Sequence, residues 1–472
     1  MTILALDQGT TSTRAVIVGE DGTVRVARAV AHRQSYPGPG RVEHDPEELL
    51  ANLSACLDAA PGARAVGLAN QGESCLGWDA QTGRAITPVI VWQDERTTPV
   101  VERLRAEGAE TLTLAGAGLP LDPYFSASKL GWILRDVPEA RALARSGRLR
   151  LGTTDAFFRH RLTGRCETDP TTASRTSLMN LATCAWDDEL CALFGVPVEA
   201  LPAIVPTTGD LGRTGGLPLT ASVVDQQAAL RGHGCTAPGA AKITFGTGAF
   251  VLAVGGVTPP EAGHGPLPTV AWAERDAPPT YALEGGVYAA AAAVNWARGL
   301  GLFSDFAEIS AFDAPPAISR GLSFVPALTG LGCPHWDRSA KGAWLGMTLD
   351  TGPRDLVQAV LEGVAFRAAE VLGAIGRVQP LAGPVSVDGG MTRNPWFCAV
   401  LADTLGVPVT VSDEPELTAL GAADLAAAGA GLALSLRRAG QTVEPRPQPP
   451  DWADRFAEAR RLVQEYGGTG RR

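Results

Sequence analysis

Three short glycine-bearing segments of this chain have the composition of phosphate-binding turns. The first is residues 7–13, Asp-Gln-Gly-Thr-Thr-Ser-Thr, directly after the apolar run 3–6. Glycine lets backbone N–H groups approach an anion closely, and hydroxyl groups add further donors. The carboxylate of Asp7 can hold a hydrated Mg²⁺ beside the phosphates. A plain β-turn is the alternative interpretation, and a Walker A loop is excluded because no Gly-Lys-Ser/Thr follows.

Two similar segments lie in the second half of the chain. Residues 245–248, Phe-Gly-Thr-Gly, follow the strand-like run 241–244, and residues 387–390, Val-Asp-Gly-Gly, precede the helix-like stretch 394–405. For 245–248 alone, a hairpin turn is the simpler interpretation. Three such turns in one chain favour a shared nucleotide cleft over three unrelated turns. A dinucleotide-binding fold fits less well, since no G-x-G-x-x-G follows the first strand.

Asp225 is the candidate catalytic carboxylate. It lies between two valines and an apolar stretch in residues 223–230, Val-Val-Asp-Gln-Gln-Ala-Ala-Leu, which predicts partial burial. A helix N-cap is the commoner role of such an aspartate. The functional interpretation is a general base that accepts the proton of a substrate hydroxyl. Phosphoryl transfer needs mainly positioning, charge neutralisation and one such base.

Several polar and aromatic residues near predicted strand ends could line a polyol pocket. Recognition of a polyol uses carboxylates and amides for the hydroxyl groups and aromatic walls for the carbon face. Each residue taken singly also fits ordinary packing, and Trp92, which follows an apolar run, fits the core. The candidates are Gln71, Glu73, Trp92, Asp94 and Tyr124.

The elements that must position these residues indicate an α/β fold. Apolar runs at 3–7, 14–18 and 23–30 predict a meander of strands, and Asp45-Pro46 predicts the start of a helix. Runs at 241–244 and 250–255 repeat the order of strand, small-residue turn and strand.

A chain of 472 residues is long for one hydrophobic core. We therefore predict two similarly built domains, residues 1–230 and 231–472, with their boundary near Arg231 and a cleft between them. Residues 440–450 contain four prolines and predict a surface linker before a last helix.

Composition argues against several classes of function. The net charge is −10, with 40 basic and 50 acidic residues and no basic run, so nucleic acid and anionic membranes are poor partners. Residues 417–434 are apolar, but Asp424 interrupts them, which predicts a buried helix rather than a membrane span. No leader is evident, and the eight cysteines form no C-x-x-C pair, so we expect reduced thiols in a cytoplasmic protein.

Taken in order, the motifs resemble those of the FGGY carbohydrate kinases, from residue 4 to residue 430. The similar segments include ALDQGTTSTRA, HRQSYPGPGRVEHDPEE, TDPTTASRTSLMN, VVDQQAALRG, TFGTGAFVL and VDGGMTRNPWFCAVLADTLG. The resemblance implies the actin and hexokinase (ribonuclease H-like) fold, with two α/β domains that each hold a five-stranded mixed sheet and close on MgATP. It also allows a homodimer or a homotetramer, since members of this family often form either.

The resemblance further implies a role for each motif. Asp7 would hold Mg²⁺ through water, and Asp225 would be the base. The nucleotide would contact the first turn at Gln8, Gly9, Thr10, Thr11 and Ser12, the second at Gly246 and Thr247, and the adenosine side at Gly389, Gly390 and Asn394. The polyol pocket would be lined by Glu73, Trp92, Tyr124, Asp225, Gln226 and Phe250, with Gln71 beside them.

The expected reaction is transfer of a phosphoryl group from ATP to a hydroxyl of glycerol or a related small polyol. Two alternatives stay open. One is a kinase for a longer polyol or a pentulose, and the other is a catalytically silent ATP-binding sensor. Asp7, Asp225 and both phosphate turns argue against silence.

Three departures from the pattern of the glycerol-phosphorylating members bear on specificity. Gly72 stands where those members have an arginine that contacts substrate hydroxyls, which predicts a pocket with room for a longer polyol. Val224 stands where they usually have glycine. Residues 211–219 are short where some members carry a loop for an allosteric sugar bisphosphate, so we do not expect that regulation here.

Overall fold

The computed structural model describes residues 1–261, 263, 265–436, 438–449 and 451–468. Pro450, at the end of the predicted linker, lies outside the described residues. The strands of the first half are β1 Thr2–Gln8, β2 Ser12–Gly19, β3 Val24–Ala31, β4 Glu43–His44, β5 Val66–Asn70, β6 Cys75–Asp79, β7 Val89–Ile90, β8 Leu149–Thr153, β9 Glu167–Thr168, β10 Met179–Asn180, β11 Ala185–Trp186, β12 Ala203–Ile204, β13 Arg213–Thr214 and β14 Leu217–Val224. Those of the second half are β15 Ala241–Phe245, β16 Ala249–Val254, β17 Leu267–Trp272, β18 Thr280–Val287, β19 Ser323–Val325, β20 Ala343–Leu345, β21 Val385–Gly389, β22 Val409–Ser412 and β23 Gly440–Val443.

The α-helices lie between or after these strands along the chain, singly or in succession. They are α1 Pro46–Leu57, α2 Thr98–Ala106, α3 Glu110–Gly116, α4 Ser126–Asp136, α5 Pro138–Arg145, α6 Thr154–Thr163, α7 Pro170–Ala173, α8 Asp188–Phe194, α9 Asp225–Gly232, α10 Ala291–Gly299, α11 Pro353–Val378, α12 Pro395–Leu405, α13 Leu417–Gly429 and α14 Asp451–Gly468. The predicted start of α1 is confirmed, because Asp45 accepts hydrogen bonds from the N–H groups of Glu47 and Glu48.

The first half builds a six-stranded mixed sheet in the order β13-β14-β5-β1-β2-β3. The predicted meander is confirmed, since β1, β2 and β3 pair antiparallel in sequence. β5 and β14 then join parallel to β1. Every residue of β5 is buried, as expected for a central strand that is covered on both faces.

The second half builds a seven-stranded sheet in the order β17-β18-β16-β15-β21-β22-β23. Its five inner strands, β18-β16-β15-β21-β22, repeat the pairing of β3-β2-β1-β5-β14, with antiparallel neighbours on one side and parallel neighbours on the other. The expectation of five strands per sheet is therefore wrong in number, because β13, β17 and β23 extend this shared arrangement. The linker predicted at 440–450 is likewise wrong over its first four residues, which form β23 at the sheet edge.

Two helices cross closely where the halves meet. α13 comes from the second half of the chain but packs against α9 and the first sheet. A Cβ on Gly421 would lie 1.8 Å from the carbonyl oxygen of Ala228, and one on Gly232 would lie 2.0 Å from that of Leu417. Only residues without a side chain permit this approach. The helix predicted in the apolar stretch is confirmed as α13, with nine buried residues.

Smaller sheets and loops are built onto this frame. A four-stranded sheet, β4-β7-β6-β8, carries the loops that reach the cleft from the first half. β13 and β14 form a tight hairpin through Gly215 and Gly216, both with positive φ. None of the described helices combines the length and apolar character needed to cross a membrane. All eight cysteines are free thiols.

Candidate active site

The first phosphate turn joins the two central strands of the first sheet. β1 ends at Gln8 and β2 begins at Ser12, and the N–H of Gly9 donates to the carbonyl oxygen of Ser12 over 3.0 Å. This bond closes a tight turn in which Thr10 is partly exposed and Thr11 is exposed. Thr11 is therefore open to solvent where β1 and β2 meet, and Thr10 is partly so.

The second turn has the same form in the second sheet. β15 ends at Phe245 and β16 begins at Ala249, which leaves Gly246 and Thr247 exposed at the tip. The first N–H groups of α10 fold onto this turn: Ala291 donates to the carbonyl oxygen of Gly246 over 3.1 Å, and Ala292 to that of Thr247 over 3.0 Å. The predicted turn is thus held from behind by a helix N-terminus.

The third turn lies beside the second. Gly389 pairs in register with Phe245, because β21 and β15 are parallel neighbours. Its φ is +98°, and a Cβ there would lie 2.2 Å from the Phe245 carbonyl oxygen, so only glycine fits. Gly390 begins the short 3₁₀ turn that follows, and the Asn394 side chain caps α12 at the N–H of Phe397. The second and third turns are therefore brought together at one edge of the sheet.

A cavity of about 140 Å³ lies between the first phosphate turn and residues of both halves. The structure brings six of the predicted pocket residues and Thr10 together there. It is lined by Thr10, Gly72, Glu73, Trp92, Tyr124, Arg175, Val224, Asp225, Gln226, Gln227, Phe250 and Glu284.

Gln71 is not among the residues that line this cavity. Its Nε2 lies 3.4 Å from the Gln8 side-chain oxygen and 3.4 Å from His44 Nδ1, and its Oε1 accepts a hydrogen bond from Ser74. Asp94 is also turned away, since its carboxylate accepts hydrogen bonds from Arg96. We infer that both residues support the loops of the pocket from behind.

Asp225 opens helix α9 at the carboxyl end of β14. Val224 is the N-cap residue, so the alternative role of Asp225 as a helix cap is not what the structure shows. The carboxylate accepts a hydrogen bond from the N–H of Gln226 over 2.7 Å. Burial, together with the nearby charges of Asp7 and Glu73, raises the pKa of Asp225 to about 8. A carboxylate with its pKa in this range is poised to take up a proton near neutral pH.

Asp7 lies close enough to act on the charge of Asp225. Burial raises the pKa of Asp7 to about 6; Arg14 opposes this effect and Glu416 adds to it. Two half-buried carboxylates that repel each other form a site that favours a cation between or beside them. Among the described residues, no cluster of three His, Cys, Asp or Glu side chains could hold a metal alone. This arrangement fits Mg²⁺ that reaches the site on nucleotide phosphates, because Mg²⁺ usually keeps several waters.

Two aromatic side chains form one wall of the cavity. The Trp92 and Tyr124 rings are 5.6 Å apart at 70°, and Trp92 Nε1 donates to Thr10 Oγ1 over 3.2 Å. The Thr10 hydroxyl of the first turn is thus bonded to the aromatic wall of the cavity. Behind both rings, the buried Lys129 ammonium donates to the carbonyl oxygens of Trp92 and Tyr124, over 3.3 and 2.9 Å.

A buried ion triad that the sequence analysis missed forms the floor. Arg175 Nε donates to Glu73 over 2.7 Å, and its Nη2 donates to Glu284 over 3.2 Å. Although burial opposes it, these carboxylates raise the pKa of Arg175. Glu73 itself has a φ of +53°, unusual for a residue with a side chain, which points to a conformation held by its surroundings. The available signal is that Arg175 and Glu284 lie in two segments similar to those of the family, TDPTTASRTSLMN and YALEGGVY.

The two departures at Gly72 and Val224 face each other. A Cβ on Gly72 would lie 2.9 Å from Cγ2 of Val224. The valine therefore occupies space into which a side chain at position 72 would begin. This wall of the cavity is apolar, whereas the guanidinium that lines the cavity is that of Arg175, in the floor.

The chain matches known protein-family domains along most of its length. Residues 2–222 match the N-terminal domain and residues 241–430 match the C-terminal domain of the FGGY family of carbohydrate kinases. The chain belongs to the FGGY family of carbohydrate kinases. It is therefore a kinase with an alcohol group as acceptor, and the fold implied by the resemblance is confirmed.

Relatives and solved structures place it within this kinase family. A glycerol kinase of Thermus brockianus is 45% identical over 451 residues, 92% of this chain and 91% of that protein. A glycerol kinase of Aromatoleum aromaticum is 43% identical, over 91% and 90%. The structure of Plasmodium falciparum glycerol kinase with ADP aligns with a TM-score of 0.90 at 28% identity, and covers 98% of both chains. A xylulose kinase of Rhodospirillum rubrum aligns with a TM-score of 0.85 at 26% identity, over 99% of both.

Proposed function

We propose that this FGGY kinase transfers the γ-phosphoryl group of ATP to a hydroxyl group of glycerol, with Asp225 as the general base. The observation that carries this proposal is one small cavity that holds a carboxylate with a raised pKa, an aromatic wall and a hydroxyl of the first phosphate turn. The similar glycerol kinases support the choice of glycerol.

In this proposal, the acceptor binds between the aromatic wall and the polar floor. Trp92 and Tyr124 contact its carbon face, while Glu73 and Gln226 bond to the hydroxyl groups that do not react. Asp225 accepts the proton of the reacting hydroxyl as its oxygen attacks the γ-phosphorus atom, and the bond from that atom to the β–γ bridging oxygen breaks to release ADP. The proton is held on the carboxyl group until the product leaves.

The nucleotide side is built from the three turns. The first and second turns donate backbone and hydroxyl hydrogen bonds to the phosphates, and Gly389, Gly390 and Asn394 border the adenosine. Asp7 would hold Mg²⁺ through water, and the ion would neutralise phosphate charge. Closing of the cleft around both ligands would keep water from the phosphoryl group.

A kinase for a longer polyol or a pentulose is the second candidate. Gly72 favours it, because a site without the guanidinium at this position has fewer donors for the hydroxyls of glycerol. The contact with Val224 argues against a larger pocket, since the valine takes part of the vacated space. A cytoplasmic location and a homodimer or homotetramer stay predictions, as does the domain boundary near Arg231.

The deciding experiment is a substrate panel with MgATP. ADP release is followed in a coupled assay, and kcat/KM is compared for glycerol, tetritols, pentitols and pentuloses. We expect glycerol to give the highest value. A higher kcat/KM for a pentulose or a pentitol would establish the second candidate, and no polyol-dependent ADP release from any acceptor would reject both.

A further inference from the structure

Lys242 is a fully buried lysine on strand β15. The sequence has three lysines, at 129, 242 and 341, among 40 basic residues. The Lys242 side chain shares a face of β15 with Thr244, two residues before the second phosphate turn. Its ammonium therefore lies inside the protein, between the sheet of the second half and helix α9.

The hydrogen bonds of this ammonium go to two neutral side chains. Nζ donates to Oε1 of Gln226 over 2.7 Å and to Oγ1 of Thr244 over 3.0 Å. Burial lowers the pKa of Lys242, while the carboxylates of Asp388, Glu284 and Asp225 favour its charged form. A buried charge carries a desolvation cost, which suggests that the bond between the Lys242 ammonium and the Gln226 amide has a function in the cavity.

The bond to Lys242 determines which way the Gln226 amide faces. A lysine ammonium has three donors and no acceptor, so it can bond only to the oxygen of an amide. The Gln226 oxygen is thus committed to Lys242, and its NH₂ group must point elsewhere. Gln226 lines the cavity beside Asp225, and no described residue accepts a hydrogen bond from its Nε2.

We propose that Lys242 is a positioning residue that orients Gln226 so that the amide NH₂ donates to a hydroxyl oxygen of the acceptor. The inference rests on the proposed function and names the group that its pocket presents to the substrate. Because β15 leads into the second phosphate turn and α9 carries Asp225, the same bond also links the nucleotide side to the base.

The first test replaces Lys242 by Met, which keeps an unbranched side chain and removes the ammonium. The freed amide can then turn its oxygen to the cavity, so we expect KM for glycerol to rise roughly 3- to 10-fold, as for loss of a hydrogen bond between two neutral groups. KM for ATP should change less than about threefold. Lys341→Met, at an exposed lysine, is the matched control and should leave both KM values unchanged.

A double-mutant cycle separates orientation from general damage. In a Gln226→Ala background, Lys242→Met should raise KM for glycerol by less than about twofold, because no amide remains to orient. Gln226→Glu keeps an oxygen for Lys242 but lacks the NH₂ group, so it should raise KM as much as Gln226→Ala. If Lys242→Met does not fold, Lys242→Gln, which retains a neutral donor, should still raise KM for glycerol, but by less than Gln226→Ala does.

Two results would overturn the inference. One is an unchanged KM for glycerol in Lys242→Met and Lys242→Gln. The other is additivity of Lys242→Met and Gln226→Ala in an enzyme whose wild type is active. A wild type that releases no ADP with glycerol would instead reject the proposed acceptor, and the cycle would then be measured with the acceptor that the panel identifies.

Discussion

Gly72 and Val224 face each other in the wall of the cavity that we propose for the acceptor, and the geometry predicts that substitutions there are strongly non-additive. A Cβ at position 72 lies 2.9 Å from Val224 Cγ2, while ordinary contacts begin near 3.4 Å. Gly72→Arg must therefore displace the valine or its own backbone by about 0.5 Å. Overpacking of this kind typically lowers the free energy of unfolding by about 1–3 kcal/mol.

The arginine also adds a charged donor to the pocket. A hydrogen bond from this guanidinium to a substrate hydroxyl would be worth about 1.5–3 kcal/mol, but displacement by the valine misplaces the guanidinium and weakens that bond. We expect Gly72→Arg alone to change kcat/KM for glycerol by less than about fivefold. In Gly72→Arg/Val224→Ala the clashing methyl group is absent, so kcat/KM for glycerol should rise roughly 10- to 150-fold. This range is the hydrogen-bond free energy converted at about 1.36 kcal/mol per factor of ten.

The assay is steady-state ADP release with glycerol and with a pentitol. Gly72→Ala/Val224→Ala is the matched control, because it has the same relief at position 224 without the guanidinium. An equal gain in kcat/KM for glycerol in Gly72→Arg alone and in the double variant would contradict the prediction. So would a kcat/KM in the double variant that does not exceed that of its alanine control.

Further predictions concern the base and the triad. Asp225→Asn should lower kcat by about 10²–10⁴ while nucleotide affinity, measured by calorimetry, stays within threefold. Because Asp225 must be ionised to act and its pKa is about 8, kcat/KM should rise with pH up to about 8 and then level off in rate profiles. Its raised pKa also destabilises the ligand-free protein as pH rises from about 4 to 8, so Asp225→Asn should gain thermal stability over wild type across that range. Arg175→Met leaves Glu73 and Glu284 buried without their cation. The free energy of unfolding, measured in urea, should therefore fall by about 3–5 kcal/mol.

The control for the triad is Arg213→Met, at an exposed arginine, which should lower the free energy of unfolding by less than about 0.5 kcal/mol. Near wild-type turnover in Asp225→Asn would remove the base assignment. A kcat/KM that is flat from pH 6 to pH 9 would contradict the raised pKa, as would equal stability of Asp225→Asn and wild type at pH 8. If the free energy of unfolding falls no more in Arg175→Met than in Arg213→Met, the triad is not needed for stability.

The sequence by itself determined the parts of this kinase that consecutive residues encode. The strand-end glycine turns at 7–13, 245–248 and 387–390, the meander β1–β3 and the cap of α1 follow from local backbone preferences and short-range hydrogen bonds. Asp225 could be singled out because its neighbours predict a strand end. These signals lie within a few residues of each other, so no knowledge of the fold is needed to find them.

Only the tertiary structure decided which distant residues share the site and which way their side chains face. Arg175 meets Glu73 and Glu284 across 102 and 109 residues of sequence, so no local pattern could pair them. Gln71 and Glu73 are two residues apart, yet only Glu73 lines the cavity. Side-chain direction and long-range ion pairing depend on how the strands and helices pack, and the packing of the two halves exists only in the folded chain.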